Sequence, residues 1–200
     1  MIVAVFANDD QWEELTNDAA AIYFIRLDTV KNNLPLADAY FILKDINQFD
    51  FTNLCKPVFI HAVTDTVRSL RMHSIVVRIT GWKGFLQRKN WEIAGAITEE
   101  IKQVLILLNK QYTPVPDEPG MIAARIIAMI INEAYFALGE EVSSKDEIDI
   151  AMKLGTNYPY GPFEWGRLIG IKNIFLLLQL LSATDKRYAP APLLQKEATA

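Results

Sequence analysis

Three prolines, Pro114, Pro116 and Pro119, fall within six residues and are followed by Gly120, and the hydrophobic pattern changes across them. Proline lacks the amide hydrogen that a helix or a sheet ladder needs, so regular structure stops there. The break predicts two domains, over residues 1–113 and 114–200. Before it, Ile2–Ala7, Ile22–Leu27, Ala39–Leu43, Pro57–Ala62 and Ile75–Ile79 are short apolar runs of strand type. Asp10–Ala21 is suited to a helix, with acids early and alanines late. Short strands with helix-length links predict a parallel sheet of βαβ units, here a reduced one, since several links are too short for a full helix. Ile101, Val104, Leu105 and Leu108 share one helical face, and Thr98 is placed to cap that helix ahead of Glu99 and Glu100.

Beyond the prolines the pattern is helical. Gly120 to about Leu138 is apolar nearly all round, which predicts burial on several sides, with Gly139 suited to its end. Ser144-Lys145-Asp146-Glu147 is a capping box that opens a helix running to Gly155. Pro162 and Gly170 bracket a further helix, and Ile171–Leu181 forms another. Ala183–Ala200 is rich in Ala, Pro and charge and is expected to be coil. No internal repeat is visible.

Composition narrows the class of function. The chain has 200 residues, 51% of them hydrophobic, which is ordinary for a globular core. Its 24 acidic and 20 basic residues give a net charge of −4 with no basic stripe, against a nucleic-acid partner. The apolar run Ile122–Ile131 is interrupted by Arg125 and followed by Asn132 and Glu133, so it predicts a core helix and not a membrane span. Cys55 is the sole cysteine, which fits a reducing cytoplasm, and the opening Met1–Phe6 predicts a buried strand and not a signal peptide.

Four segments carry a family resemblance. Asp117-Glu118-Pro119-Gly120-Met121-Ile122-Ala123-Ala124-Arg125 resembles D-x-P-G-F-I-x-N-R, and Glu147–Gly155 resembles EDID-x-AM-x-x-G. Tyr158–Trp165 resembles P-x-GPFE, and Arg187–Leu194 resembles R-Y-x-P-x-P-L-L. In this order and spacing they are similar to the C-terminal half of the 3-hydroxyacyl-CoA dehydrogenase family. The resemblance implies a Rossmann-like NAD-binding domain followed by a helical domain that forms most of a homodimer interface, with an acyl-CoA substrate in a cleft. It implies that a His takes the proton of the 3-hydroxyl as hydride leaves for the nicotinamide, while a Glu orients that His.

Set against the family pattern, the site residues change. The family's opening strand continues into G-A-G-x-M-G; here Ala7, Asp9 and Trp12 stand at the three glycine positions. The middle glycine admits the pyrophosphate and the last lets helix pack on strand. Asp9 also puts a carboxylate where an anion would sit. Asp28 stands where the ribose-binding acid would lie, or is a turn residue. The family's catalytic Glu falls on Glu92; an ungapped count puts Thr80 at the His position and Lys83 at the Asn position, and a gap would bring Gly81 or Trp82 there instead. A Thr hydroxyl is no general base near pH 7. Ala124 replaces the substrate-contacting Asn, while Arg125 is kept as a substrate ligand or as an ion-pair or packing residue. Ala37–Ile42 resembles A-D-L-V-I-E without its Glu, after a link from Asp28 shorter than the family's. His61 ends a predicted strand and is either a satisfied loop histidine or a substitute base; His73 lies in a polar link. Neither, nor Cys55, has a partner at metal-ligand spacing, so no metal site is expected.

Three functions follow from this pattern. The chain is a working NAD-dependent oxidoreductase of fatty-acid metabolism, a silent relative that keeps a dimeric helical domain and an acyl-CoA cleft, or an interaction subunit. The lost glycines and His favour the second and third.

Overall fold

The computed structural model describes residues 1–17, 19, 21–28, 34–49, 51, 54–72 and 75–200. Parts of the predicted Asp10–Ala21 helix and of the Asp28–Ala37 link, and His73, lie outside the described residues. The chain forms two compact units, Met1–Met121 and Ile122–Ala200.

Unit 1 is a seven-stranded, mostly parallel sheet. Its strands are β1 (Ile2–Phe6), β2 (Tyr23–Arg26), β3 (Ala39–Ile42), β4 (Val58–His61), β5 (Val76–Ile79), β6 (Asn90–Gly95) and β7 (Gln111–Pro114), in the order β2-β1-β3-β4-β5-β6-β7. Among the described residues only the β5–β6 pairing is antiparallel, through Val77 with Gly95 and Arg78 with Ala94. The inner strands β1, β3, β4 and β5 carry near-continuous apolar residues because both their faces are covered. One face packs Val3, Val5, Phe41, Phe59, Val77, Ile79 and Ile93 beneath α1 (Asp9–Thr16) and α2 (Glu99–Leu107). Phe41 and Phe59 stack there with ring centroids 4.4 Å apart. Burial of each such side chain contributes about 1.5–3 kcal/mol. The other face, with Ala4, Phe6, Ile42 and Ile60, is covered by Phe49, Phe51, Leu54, Leu70 and Met72 and a single 3-10 turn at Ile46–Gln48. A turn and loops stand where a full α/β fold would place helices, which is the reduction that the short links predicted. Thr98 caps α2 through Ile101, and Ile101, Val104, Leu105 and Leu108 face the core as expected.

Unit 2 is all helical. Its elements are α3 (Ala123–Gly139), α4 (Lys145–Thr156), α5 (Pro162–Ile169), α6 (Ile171–Ser182) and α7 (Pro192–Ala198). The central α3 buries Ala124, Ile127, Ala128, Ile131, Ala134 and Tyr135 against α5, α6 and α7. Ser144 and Glu147 form the capping box expected for α4.

Several sequence expectations need correction. β6 and β7 were not anticipated, because Trp91-Glu92-Ile93 is too short an alternation to stand out. The long helix starts at Ala123 and not Gly120, since Gly120 (φ 78°) and Met121 (φ 45°) are both left-handed. α4 passes through Gly155 and ends at Thr156, with Asn157 left-handed at φ 56° as its cap. The tail is not all coil. Pro192 starts α7, Leu194 is fully buried, and Asn132 bonds both Ala189 O (2.9 Å) and Ala191 N (2.8 Å). Tertiary contacts order a segment whose composition alone suggests none.

Candidate functional site

In parallel sheets of this type ligands bind at the carboxyl edge where the strand order reverses. The chain leaves β1 for β2 on one side and places β3 on the other, so that point lies between the ends of β1 and β3. Ala7 follows β1 and is buried in the helix-side core. Asn8 then caps α1: its side chain accepts the Gln11 amide (2.9 Å), and the Gln11 side chain accepts the Asn8 amide (3.2 Å). Asn8-x-x-Gln11 has the spacing of a capping box. That signal was in the sequence and was missed.

Gln11 does more than cap. It is buried, and its Nε2 donates to Leu43 O beyond β3 and to Gly81 O beyond β5, each at 2.9 Å. Gly81 N in turn donates to His61 Nδ1 at 2.9 Å, so the ring is a neutral imidazole with its proton on Nε2. A Cβ at Gly81 would lie 3.0 Å from the His61 ring and 3.3 Å from the Gln11 amide, so a side chain there would require these neighbours to shift. Burial foremost, with the Arg78 charge, pushes the His61 pKa down to about 4, against an opposing bond to the Ile79 backbone. The loop after β5 is held to α1 at three further points. Lys83 pairs with Asp10 (2.9 Å), and Glu14 accepts Gly84 N (2.6 Å) and Leu86 N (3.1 Å). This loop carries the residues that align with the family's catalytic segment.

The electrostatics follow the same plan. Asp9 pairs with Arg26, whose guanidinium also lies 5.4 Å from the Trp12 ring; the Arg26 hydrogen bond and charge hold the Asp9 carboxyl below its usual range. Trp12 meets Phe24 edge-on at 6.1 Å, so the third glycine position holds a ring packed on β2. A helix N-terminus offers an anion about 0.3–1 kcal/mol. In α1 that offer is taken up by Asp9 and Asp10. The turn from Ala7 to Trp12 does not fit a dinucleotide pyrophosphate.

The remaining predicted positions are spread out. Asp28 is exposed, two residues beyond β2. Thr80 is buried just after β5, and its hydroxyl has no hydrogen-bond partner among the described residues. Glu92 sits half-buried in β6, level with Thr113 of β7, and its charge reaches Arg88. Thr80 and Glu92 each lie two positions beyond the last β5–β6 pair. Ala124 is buried in α3; Arg125 beside it lies 5.8 Å from the Tyr188 ring, and both belong to unit 2.

The Asp117 signature has a role in unit 1 that the sequence did not reveal. Arg78 is fully buried in β5 and donates to Asp117 Oδ1 (2.6 Å), Ala62 O (2.9 Å) and Glu118 O (3.3 Å). Asp117 also accepts Val67 N (3.0 Å) and Arg68 N (3.1 Å). Burial opposes the Asp117 charge, but the hydrogen bonds from Arg78, Val67 and Arg68 outweigh it and keep the carboxyl below its usual range. Among the described residues no group of three His, Cys, Asp or Glu could hold a metal. No described helix is long and apolar enough to cross a membrane.

A mostly parallel, doubly wound type of sheet is followed in the chain by an all-helical unit, and comparisons with known proteins can be put to this pair. The 3-hydroxyacyl-CoA dehydrogenase C-terminal domain model matches residues 120–200. The chain is 46% identical over 91 residues to the 3-hydroxyadipyl-CoA dehydrogenase of Escherichia coli K12, covering 44% of this chain and 19% of that protein. It is 39% identical over 103 residues to the 3-hydroxybutyryl-CoA dehydrogenase of Bradyrhizobium diazoefficiens, covering 50% and 35%. Among solved structures, 3-hydroxybutyryl-CoA dehydrogenase of E. coli K12 superposes with a TM-score of 0.59 at 36% identity, over 70% of this chain and 31% of that one. The (S)-3-hydroxybutyryl-CoA dehydrogenase of Ralstonia eutropha gives 0.73 at 15% identity over 99% and 93%, a likeness of fold alone. Residues 120–200 are thus similar to the C-terminal domain of 3-hydroxyacyl-CoA dehydrogenases, and the chain spans well under half the length of these curated relatives.

Proposed function

We propose that this chain is a 3-hydroxyacyl-CoA dehydrogenase relative of cytoplasmic acyl-CoA metabolism that has lost NAD-dependent hydride transfer. It serves instead as a dimeric, non-catalytic subunit with an acyl-CoA or related ligand. One observation carries this reading. The turn that would cradle the cofactor is closed by Gln11, which ties α1 to the carbonyls after β3 and β5, and Asp9 and Asp10 hold the helix N-terminus. Thr80 adds to it, since a hydroxyl at the expected base position takes no proton near neutral pH. A homodimer through unit 2 is supported by the exposed apolar pairs Ile150 with Leu154 on α4 and Leu176 with Leu180 on α6, each four residues apart and so on one helix face.

Calorimetric titration of the whole chain tests the proposal. NAD is expected to give no binding heat, and acetoacetyl-CoA a saturable one. Incubation with NAD and a 3-hydroxyacyl-CoA is expected to produce no NADH. Micromolar affinity for NAD would overturn the loss of cofactor. Binding of neither ligand would leave the interaction subunit as the better account.

A further inference from the structure

Unit 2 contains an open depression that the proposal above does not use, lined in part by residues of the segments that carry the family resemblance. It is a cavity of about 430 Å³ lined by Lys153, Pro159, Tyr160, Glu164, Arg167 and Leu168. That is within the usual size of small-molecule sites. Its character follows from an inventory of donors and acceptors.

The acids near it are already engaged. Glu164 accepts Lys153 Nζ (2.6 Å) with one oxygen and Gly161 N (2.9 Å) with the other. Asp149 accepts Phe163 N (2.7 Å) and Glu164 N (3.0 Å), the free amides that open α5. A Cβ at Gly161 would fall 2.3 Å from Asp149 Oδ1, so only glycine allows that approach. Glu197, whose charge also reaches Arg167, is bound by Lys145 (2.7 Å) and by the Tyr135 hydroxyl.

The cations are not engaged to the same degree. A lysine has three donors and an arginine five. Among the described residues Lys153 donates one hydrogen bond, to Glu164. The Arg167 side chain is 62% exposed, and its nearest acidic oxygen, Asp149 Oδ2, is 3.7 Å away, beyond hydrogen-bond distance. The cavity therefore presents donors without matching acceptors. Tyr160, Pro159 and Leu168 supply an apolar wall, and the Tyr160 ring is backed by Trp165 at 6.2 Å.

We infer that this cavity binds a small oxyanion, a carboxylate or a phosphate monoester, that carries a flat apolar body. The anion takes the fork of Arg167 with Lys153 beside it, and the apolar body lies against Tyr160, Pro159 and Leu168. Planar two-point pairing suits Arg167 to either oxyanion.

The test uses the full chain, labelled with nitrogen-15, with phenyl phosphate, benzoate, inorganic phosphate and benzyl alcohol as probes. Phenyl phosphate or benzoate is expected to shift the Trp165 indole signal and saturate, and which of them binds more tightly identifies the preferred oxyanion. Inorganic phosphate and benzyl alcohol, each lacking one half of the recognised chemistry, should bind at least about tenfold more weakly. Arg167→Gln should weaken binding by about tenfold or more, Arg167→Lys should recover only part of it, and Lys172→Gln, at an exposed lysine outside the lining, should leave it unaltered. The inference is overturned if neither phenyl phosphate nor benzoate saturates the signal, or if Arg167→Gln binds as the unmodified chain does. Inorganic phosphate binding as tightly as phenyl phosphate would overturn the part assigned to the apolar wall.

Discussion

Acidification from pH 7 to pH 5 should weaken unit 1 through His61. The ring accepts the Gly81 amide at Nδ1 and so is held neutral in the folded chain. Its pKa falls from an ordinary 6.5 to about 4, chiefly because burial disfavours the imidazolium and Arg78 repels it. Between those values the unfolded chain binds a proton that the folded chain does not, so stability declines as pH falls. At about 1.36 kcal/mol per pH unit the whole interval is worth about 3 kcal/mol, of which about 2 kcal/mol is lost between pH 7 and pH 5. The depressed carboxyls, such as Asp117 and Glu164, act lower: their stabilisation is lost only as pH falls through and below ordinary values of 3.8 and 4.5. Urea unfolding at pH 7, 6 and 5 measures the effect, with His61→Asn as reference because the Asn oxygen can still accept the Gly81 amide without titrating. The difference between the two proteins should change by about 2 kcal/mol across this range. Equal pH dependence in both, or an imidazole resonance of His61 titrating near 6.5, would refute the argument.

Two substitutions test the remaining polar links of unit 1. Gln11→Ala removes the Gln11 half of the α1 capping box and strands the Leu43 and Gly81 carbonyls, at a cost of about 2 kcal/mol in urea unfolding. Gln11→Glu keeps the size but offers only acceptors, and should be at least as damaging; a neutral outcome would dismiss the bridge. Arg78→Met keeps bulk in β5 but leaves Asp117 and the carbonyls of Ala62 and Glu118 without their donor. A loss of roughly 3 kcal/mol is expected by the same assay, and a loss below about 1 kcal/mol would show that the pair is dispensable.

The fold was legible where local chemistry and long-range packing agree. The strands of unit 1 up to β5 were visible because buried parallel strands are apolar on both faces. Thr98 and Ser144 marked their helices because capping is a local interaction. What failed depends on distant partners. α7 is ordered by Leu194 burial and by Asn132, some 60 positions earlier, and no window of sequence contains both. β6 pairs through Trp91 and Glu92 with β7, whose Pro114 is tolerated because β7 is an edge strand. Of the candidate site, the lost glycines were readable residue by residue, but the closure built in their place was not. Gln11 and Glu14 of α1, His61 of β4 and Gly81 after β5 come from three separate segments and meet only through the sheet.

The signature residues explain how a chain can keep its family's marks while changing its cofactor turn. Asp117 anchors the interdomain link to Arg78, Val67 and Arg68. Glu147 caps α4, and Asp149 caps α5 across Gly161, which has no space for a side chain. Tyr188 and Leu194 are buried tail residues. Each of these holds a helix end or a segment in place, so selection for folding alone would preserve them. The glycines of the cofactor turn carry a different burden, since what they provide is room for a ligand. In this turn Asn8 accepts the Gln11 amide and Gln11 donates to the Leu43 and Gly81 carbonyls, so its polar groups are satisfied by side chains of the chain itself. Family resemblance and activity are thus written in separable residues.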